Sequence, residues 1–183
     1  MINPFENELL IIFIVLVTAT AAGFDIVKHK IPNMLNFPAM LGAVVYFTAL
    51  HGWDGFVFSA CGMLTGIALL LLPYLMGGMG AGDAKLMGAV GACLGTEHAI
   101  KAFIYVAAMG CVYALIVMIA QRSRMKGYFK QLWLTAQAVM LTRHYVPVES
   151  SDGERPKVYY GVAIAAGTLL YLSAEFTSVQ ALI

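Results

Sequence analysis

Charge is what this sequence has least of: only 11% of its 183 residues are Asp, Glu, Lys or Arg, against 61% that are hydrophobic. A water-soluble domain carries about 25% charged residues, so this balance excludes an ordinary soluble composition and calls for lipid around the chain. Cysteine is also scarce. Cys61, Cys93 and Cys111 stand singly inside apolar stretches, with no C-x-x-C pair and no His at ligand spacing, which excludes a zinc site or a disulfide framework. His29, His51, His98 and His144 are scattered beside loops or charged residues, where solvated surface roles are expected. The basic region and small-residue cleavage site of a secretory signal are missing before the first apolar run. Glu6 and Glu8 stand there instead, so that run is expected to be retained.

What the chain does contain is a series of apolar runs. A spanning helix needs about 20 predominantly apolar residues, and six stretches approach that length, at roughly 9–25, 36–50, 55–76, 83–96, 99–120 and 158–176. The expected fold is therefore an all-α membrane protein of about six transmembrane helices, forming one polytopic domain over 1–183. The fourth run is short, and the Gly-rich segment 77–82 before it is expected to dip inward as non-helical backbone. Gly62 and Gly66, at G-x-x-x-G spacing, are read as helix-packing positions.

Charge distribution sets the orientation. With the N-terminus outside, the connections 26–35, 77–82 and 121–157 and the residues at their borders hold ten of the eleven basic residues on the cytoplasmic side, Lys101 being the exception. Glu6, Glu8, Asp54, Glu97 and Glu175 fall on the opposite side. The long polar stretch 121–157 mixes apolar and polar positions around Trp133, and its segment 128–141 is expected to lie on the cytoplasmic membrane face as an amphipathic helix. The run from Val148 to Lys157 reads as a turn or loop.

Eight of the ten acidic residues fall in water on this reading, and Asp25 and Asp83 remain. Asp25 closes a run of sixteen uncharged residues and precedes Lys28 by three positions, whereas Asp83 opens the fourth run from the same side. Carboxylates inside a bilayer are costly and are functional candidates by default. One reading pairs each with Lys28 or Lys85 at the interface. The other brings them together, because two close carboxylates in low dielectric share a proton, hold a water, and can serve as general base and general acid in peptide hydrolysis. The helix ends favour Asp83 as the ionised base, near a positive N-terminus, and Asp25 as the protonated partner, near a negative C-terminus. Gly80 and Gly82 would let an extended substrate backbone approach closely.

Gly80-Ala81-Gly82-Asp83-Ala84-Lys85-Leu86 resembles the GxGD-x-K-[LM] motif of the type IV prepilin peptidases, which are intramembrane aspartyl proteases. Asp25 followed by Ile31-Pro32-Asn33 is similar to the element around that family's first catalytic aspartate. Tyr160-Gly161-Val162-Ala163-Ile164-Ala165-Ala166-Gly167 is similar to its closing segment, with Tyr159 where Pro is usual. The resemblance implies a catalytic pair of Asp25 and Asp83, Lys85 near the site tuning its ionisation, and Pro32 and Asn33 shaping the turn after the first helix. It also implies cleavage of prepilin-like or pseudopilin precursors after the leader Gly, at the cytoplasmic face of the bacterial inner membrane. No cofactor, metal or nucleic-acid partner is expected. Larger members carry an N-terminal cytoplasmic part with paired cysteines and methyltransferase activity; lacking both the length and the C-x-x-C pairs, this chain is more similar to the compact form of Tad or Flp pilus systems, and N-methylation is not expected. The substrate helix would enter sideways from lipid, with Glu149, Asp152 and Glu154 as contacts for a basic leader. The alternatives are a proton-coupled transporter, which would place its charges at the midplane, and a structural membrane subunit, which needs no carboxylate pair.

Overall fold

The apolar runs fold as helices because a backbone in lipid must satisfy its own hydrogen bonds. In a computed structural model, which describes residues 2–75, 78–120 and 159–180, four α-helices follow a short 3-10 turn at Pro4–Glu6, and no strand occurs among the described residues. They are α1 (Glu8–Lys28), α2 (Asn33–Leu75), α3 (Ala81–Ala120) and α4 (Tyr160–Gln180). Three of them, α1, α2 and α3 up to Ile119, are long and apolar enough to cross a membrane. Asn7 caps α1 by accepting the Leu9 N–H at 3.0 Å, and its amide also donates to the Tyr46 hydroxyl.

At 43 residues, α2 would measure about 65 Å as one straight rod, twice the ~30 Å hydrocarbon core. It is not straight. Gly52 breaks it with φ 59° and ψ −133°, and Gly95 breaks α3 with φ 77° and ψ 174°, backbone conformations that only glycine adopts freely. Past Gly52 the chain doubles back: the rings of Phe47 and Phe58, eleven positions apart, lie 4.9 Å centre to centre, where a continuous helix would separate them by about 16 Å. Gly52 falls in the gap between the runs 36–50 and 55–76, whereas Gly95 lies just inside the end of the run 83–96.

The core centres on the first part of α3, where Leu86, Met87, Ala89, Val90, Ala92, Cys93 and Leu94 are all buried. The limb of α2 after Gly52 packs on it backbone to backbone. A Cβ on Gly62 would meet the Gly91 carbonyl oxygen at 2.1 Å, and one on Gly66 would meet that of Met87 at 2.3 Å. Ser59 donates to the Ala92 carbonyl at 2.8 Å across the same contact. On another side, α1, the first limb of α2 and α3 meet along a narrow apolar seam lined by Ile14, Thr18, Ala39, Val90 and Cys93 among others. α4 packs along α1, and its Gly167 lies against the backbone of Val106.

The chain divides into two compact units, Met1–Cys111 with Tyr159–Ile183, and Val112–Val158. Of the second, the described residues are 112–120, the last turns of α3. The expected interfacial helix over 128–141, the loop to Lys157, and the leader contacts Glu149, Asp152 and Glu154 lie outside the described residues.

The histidines depart from expectation at one position. His98 is half-buried, 2.5 Å from the Tyr171 hydroxyl through Nδ1 and edge-on to Phe5. Its neighbours mislead because Glu97 and Lys101, joined by a 2.7 Å ion pair, lie four apart on one helix face, while His98 points about 100° away from it. His29 and His51 are exposed, and His144 lies outside the described residues.

A buried pair of aspartates as candidate active site

The last turn of α1 supplies Asp25. The helix stops four residues later at His29, whose left-handed conformation (φ 51°) is one that His tolerates. The Asp25 carbonyl accepts the His29 N–H at 2.9 Å. Ile31, Pro32 and Asn33 then turn the chain into α2, with the Pro32 carbonyl accepting the Leu35 N–H at 3.0 Å. Pro suits this place because its fixed φ and missing N–H prevent α1 from running on.

Asp83 comes from the first turn of α3. Gly80 precedes the helix and is bound reciprocally: its N–H donates to Asp83 Oδ2 at 3.0 Å, and its carbonyl accepts the Asp83 N–H at 3.1 Å. The first of these bonds is the carboxylate half of a capping box and the second is a backbone bond of the opening turn; together they satisfy donors that a helix start leaves unpaired. Of the segment 77–82 expected to dip inward as non-helical backbone, Ala81 and Gly82 are already helical, and Gly78 and Gly80 are exposed. Gly82 faces the turn after α1, where a Cβ would stand 3.1 Å from that of Ile31.

Both carboxylates are buried, each 7% exposed, and Asp83 lies within electrostatic reach of Asp25. The start of α4 completes the site. The Gly161 N–H donates to Asp25 Oδ2 at 2.8 Å, and Tyr160 lies within electrostatic reach of Asp83. Tyr159, standing where Pro is usual, stacks on the His29 ring at 5.0 Å. Each aspartate thus accepts one backbone N–H, so hydrogen bonding does not reinforce the helix-end asymmetry between them.

The ion-pair reading of the aspartates is not what the structure contains. Lys28 lies over the Phe24 ring; Lys85 donates to Asn33 Oδ1 at 3.0 Å and lies over Phe37. Among the described residues neither lysine pairs with either aspartate. Lys85 accordingly ties the start of α3 to the start of α2 rather than sitting on the carboxylates. Among the described residues, no three His, Cys, Asp or Glu side chains gather as a metal site would require.

Two contacts were not drawn from the sequence. The Gly161 N–H on Asp25 joins residues 136 apart, and only the similarity of the closing segment signalled it. Asn36 is fully buried and donates to the Gly82 carbonyl at 2.9 Å; its one signal was an amide at the mouth of an apolar run.

Helices this long and apolar define a membrane-embedded protein, and two of its buried side chains are acids, Asp83 lying within electrostatic reach of Asp25. The model of the type IV leader peptidase family matches residues 10–115, more than half the chain, and the chain belongs to that family. It is therefore a peptidase of the membrane, with both aspartates inside the matched segment and α4 beyond it. No curated protein and no solved structure matches the chain.

Proposed function

We propose that the chain is an intramembrane aspartyl endopeptidase that removes the leader from prepilin or pseudopilin precursors, with Asp25 and Asp83 as its catalytic residues. The observation that carries this reading is the burial of both carboxylates, Asp83 within electrostatic reach of Asp25, each on a backbone N–H and, among the described residues, neither on a lysine. The pair holds one proton. Its ionised member takes a proton from a water as the water oxygen bonds to the scissile carbonyl carbon, and the protonated member gives its proton to the carbonyl oxygen. Collapse of that intermediate breaks the C–N bond: the amine leaves with the proton first taken from water, while the other carboxylate takes back a hydroxyl proton as the carbonyl re-forms, which restores the singly protonated pair.

The glycine breaks support six spans in a single peptidase domain over 1–183. Cut at Gly52, α2 gives limbs of about 28 and 34 Å; cut at Gly95, α3 gives a short, buried limb of about 21 Å and a longer one of about 37 Å. With the basic connections inside, the aspartates face the cytoplasm, where leaders are made. Cleavage after a leader Gly, the bacterial inner membrane, and a Tad or Flp type of pilus follow from the motif resemblance. A transporter would carry its acids at the midplane, whereas these lie at helix ends.

The test is co-expression of candidate precursors with wild type, Asp25→Ala and Asp83→Ala, following leader removal by gel shift with and without chelator. Loss in both variants, with wild type indifferent to chelator, is expected. Retention of cleavage in either variant would overturn the aspartyl mechanism.

A further inference from the structure

We propose that Asn36 is a positioning residue, whose amide fixes the Gly82–Asp83 peptide so that the Asp83 carboxylate faces Asp25; the inference rests on the catalytic reading of Asp83. Asn36 is completely buried one turn into α2. Its Nδ2 donates to the Gly82 carbonyl oxygen at 2.9 Å, across 46 residues of sequence. Among the described residues its Oδ1 is buried and meets no donor. A buried amide that uses only its donor is a costly way to pack a helix, because an apolar side chain of the same shape would leave nothing unsatisfied. Its presence is explained by where the donor points: at the peptide group that carries Asp83.

Asn33 and Asn36 lie three apart, on one face of α2. Asn33 Oδ1 holds Lys85 Nζ at 3.0 Å while Asn36 holds the Gly82 carbonyl, so α2 grips the first turn of α3 on both sides of Asp83. Ile31 closes the grip by packing on Gly82. The Lys85 contact is exposed and the Asn36 contact is not, so Asn36 is the member that water does not replace.

The test uses the full chain purified in detergent, with a precursor carrying a basic leader, a Gly at the cleavage site and an apolar helix, and compares wild type, Asn36→Leu, Asn36→Asp and Asp83→Asn. Asn36→Leu removes the donor together with the orphaned acceptor. It is expected to melt at or above the wild-type temperature while kcat falls about 100-fold, the effect of misplacing a reacting group by ~1 Å, with KM within about threefold. Asn36→Asp keeps the shape but replaces the donating amide with an acceptor, and the same split between kcat and KM is expected at neutral pH. A kcat within threefold of wild type in both variants would overturn the proposal, as would failure of both to fold, which would make Asn36 merely structural. Activity surviving in Asp83→Asn would instead overturn the reading of Asp83 and remove the purpose of the grip.

Discussion

Gly161 is the position at which a single methyl group should reach the proposed chemistry without touching a charged residue. A Cβ built there stands 2.9 Å from Asp25 Oδ2, 3.0 Å from its Cβ and 3.2 Å from its Cγ. Because three atoms of the aspartate are met together, rotating the carboxyl group relieves only one of them. Ordinary contact begins near 3.4 Å, so the carboxylate of a Gly161→Ala variant has to retreat by about 0.5 Å (3.4 less 2.9), stretching the 2.8 Å hydrogen bond from the Gly161 N–H. Overpacking of this kind costs about 1–3 kcal/mol, and at ~1.36 kcal/mol per tenfold in rate that corresponds to roughly a 10- to 100-fold loss in kcat if the strain falls on the transition state. The assay is leader removal from a purified precursor, with kcat and KM measured separately and KM expected to change little. Gly42→Ala is the control, since a Cβ on this exposed α2 glycine meets nothing within 4 Å. A Gly161→Ala enzyme as active as the Gly42→Ala control would refute the placement of Asp25 at the reacting centre.

Two further substitutions test the scaffold. Gly91→Ala would drive a Cβ to 2.2 Å from the Gly62 carbonyl oxygen, backbone that cannot rotate away, so the second limb of α2 must part from α3; a loss of about 1–3 kcal/mol is expected, and a detergent melting temperature unchanged from wild type would refute the contact. At the helix breaks, Gly52→Ala meets no atom and should cost only the backbone strain of its positive φ, about 1–3 kcal/mol. Gly95→Ala adds a Cβ 2.2 Å from the Phe58 ring to the same strain, so it should melt well below Gly52→Ala; equal melting temperatures would refute this ordering.

The helix breaks and both aspartates could be read from the sequence because each is a local interruption of hydropathy. His51 and Asp54 bracket Gly52, Glu97 and His98 follow Gly95, and Asp25 and Asp83 are isolated charges at the ends of apolar runs. Which run forms the centre could not be read that way, since lipid tails are as apolar as leucine and hydropathy does not separate lipid-facing from protein-facing helices. The clue lies in small residues: Gly88, Ala89, Gly91 and Ala92 let neighbouring backbones close on α3. Lys85 was drawn toward the carboxylates by its nearness in sequence, yet two positions along a helix turn a side chain by about 200°, and its ammonium reaches Asn33 instead. Gly161 and Asn36 act across 136 and 46 residues, and no local pattern encodes contacts of that range.

Among the described residues the two acids take backbone N–H groups rather than lysine or arginine as partners, because three helix ends meet around them. α1 arrives with Asp25 in its last turn, while α3 and α4 depart beside it, and the start of every helix carries N–H groups with no partner in its own ladder. Gly80, just before α3, gives its N–H to Asp83, and Gly161, at the start of α4, gives its N–H to Asp25. The N–H groups that open two helices therefore solvate two carboxylates with dipoles, and the exposed His29 imidazole also lies within electrostatic reach of Asp25. A lysine in either place would favour the ionised form of its aspartate and oppose the proton sharing proposed for the pair. Glycine is required on the α4 side for the same reason that the bond is short: a one-residue shift in the register of α4 would turn Gly161 by about 100° and bring Tyr160 or Val162 against Asp25, where the structure leaves no room even for a methyl group.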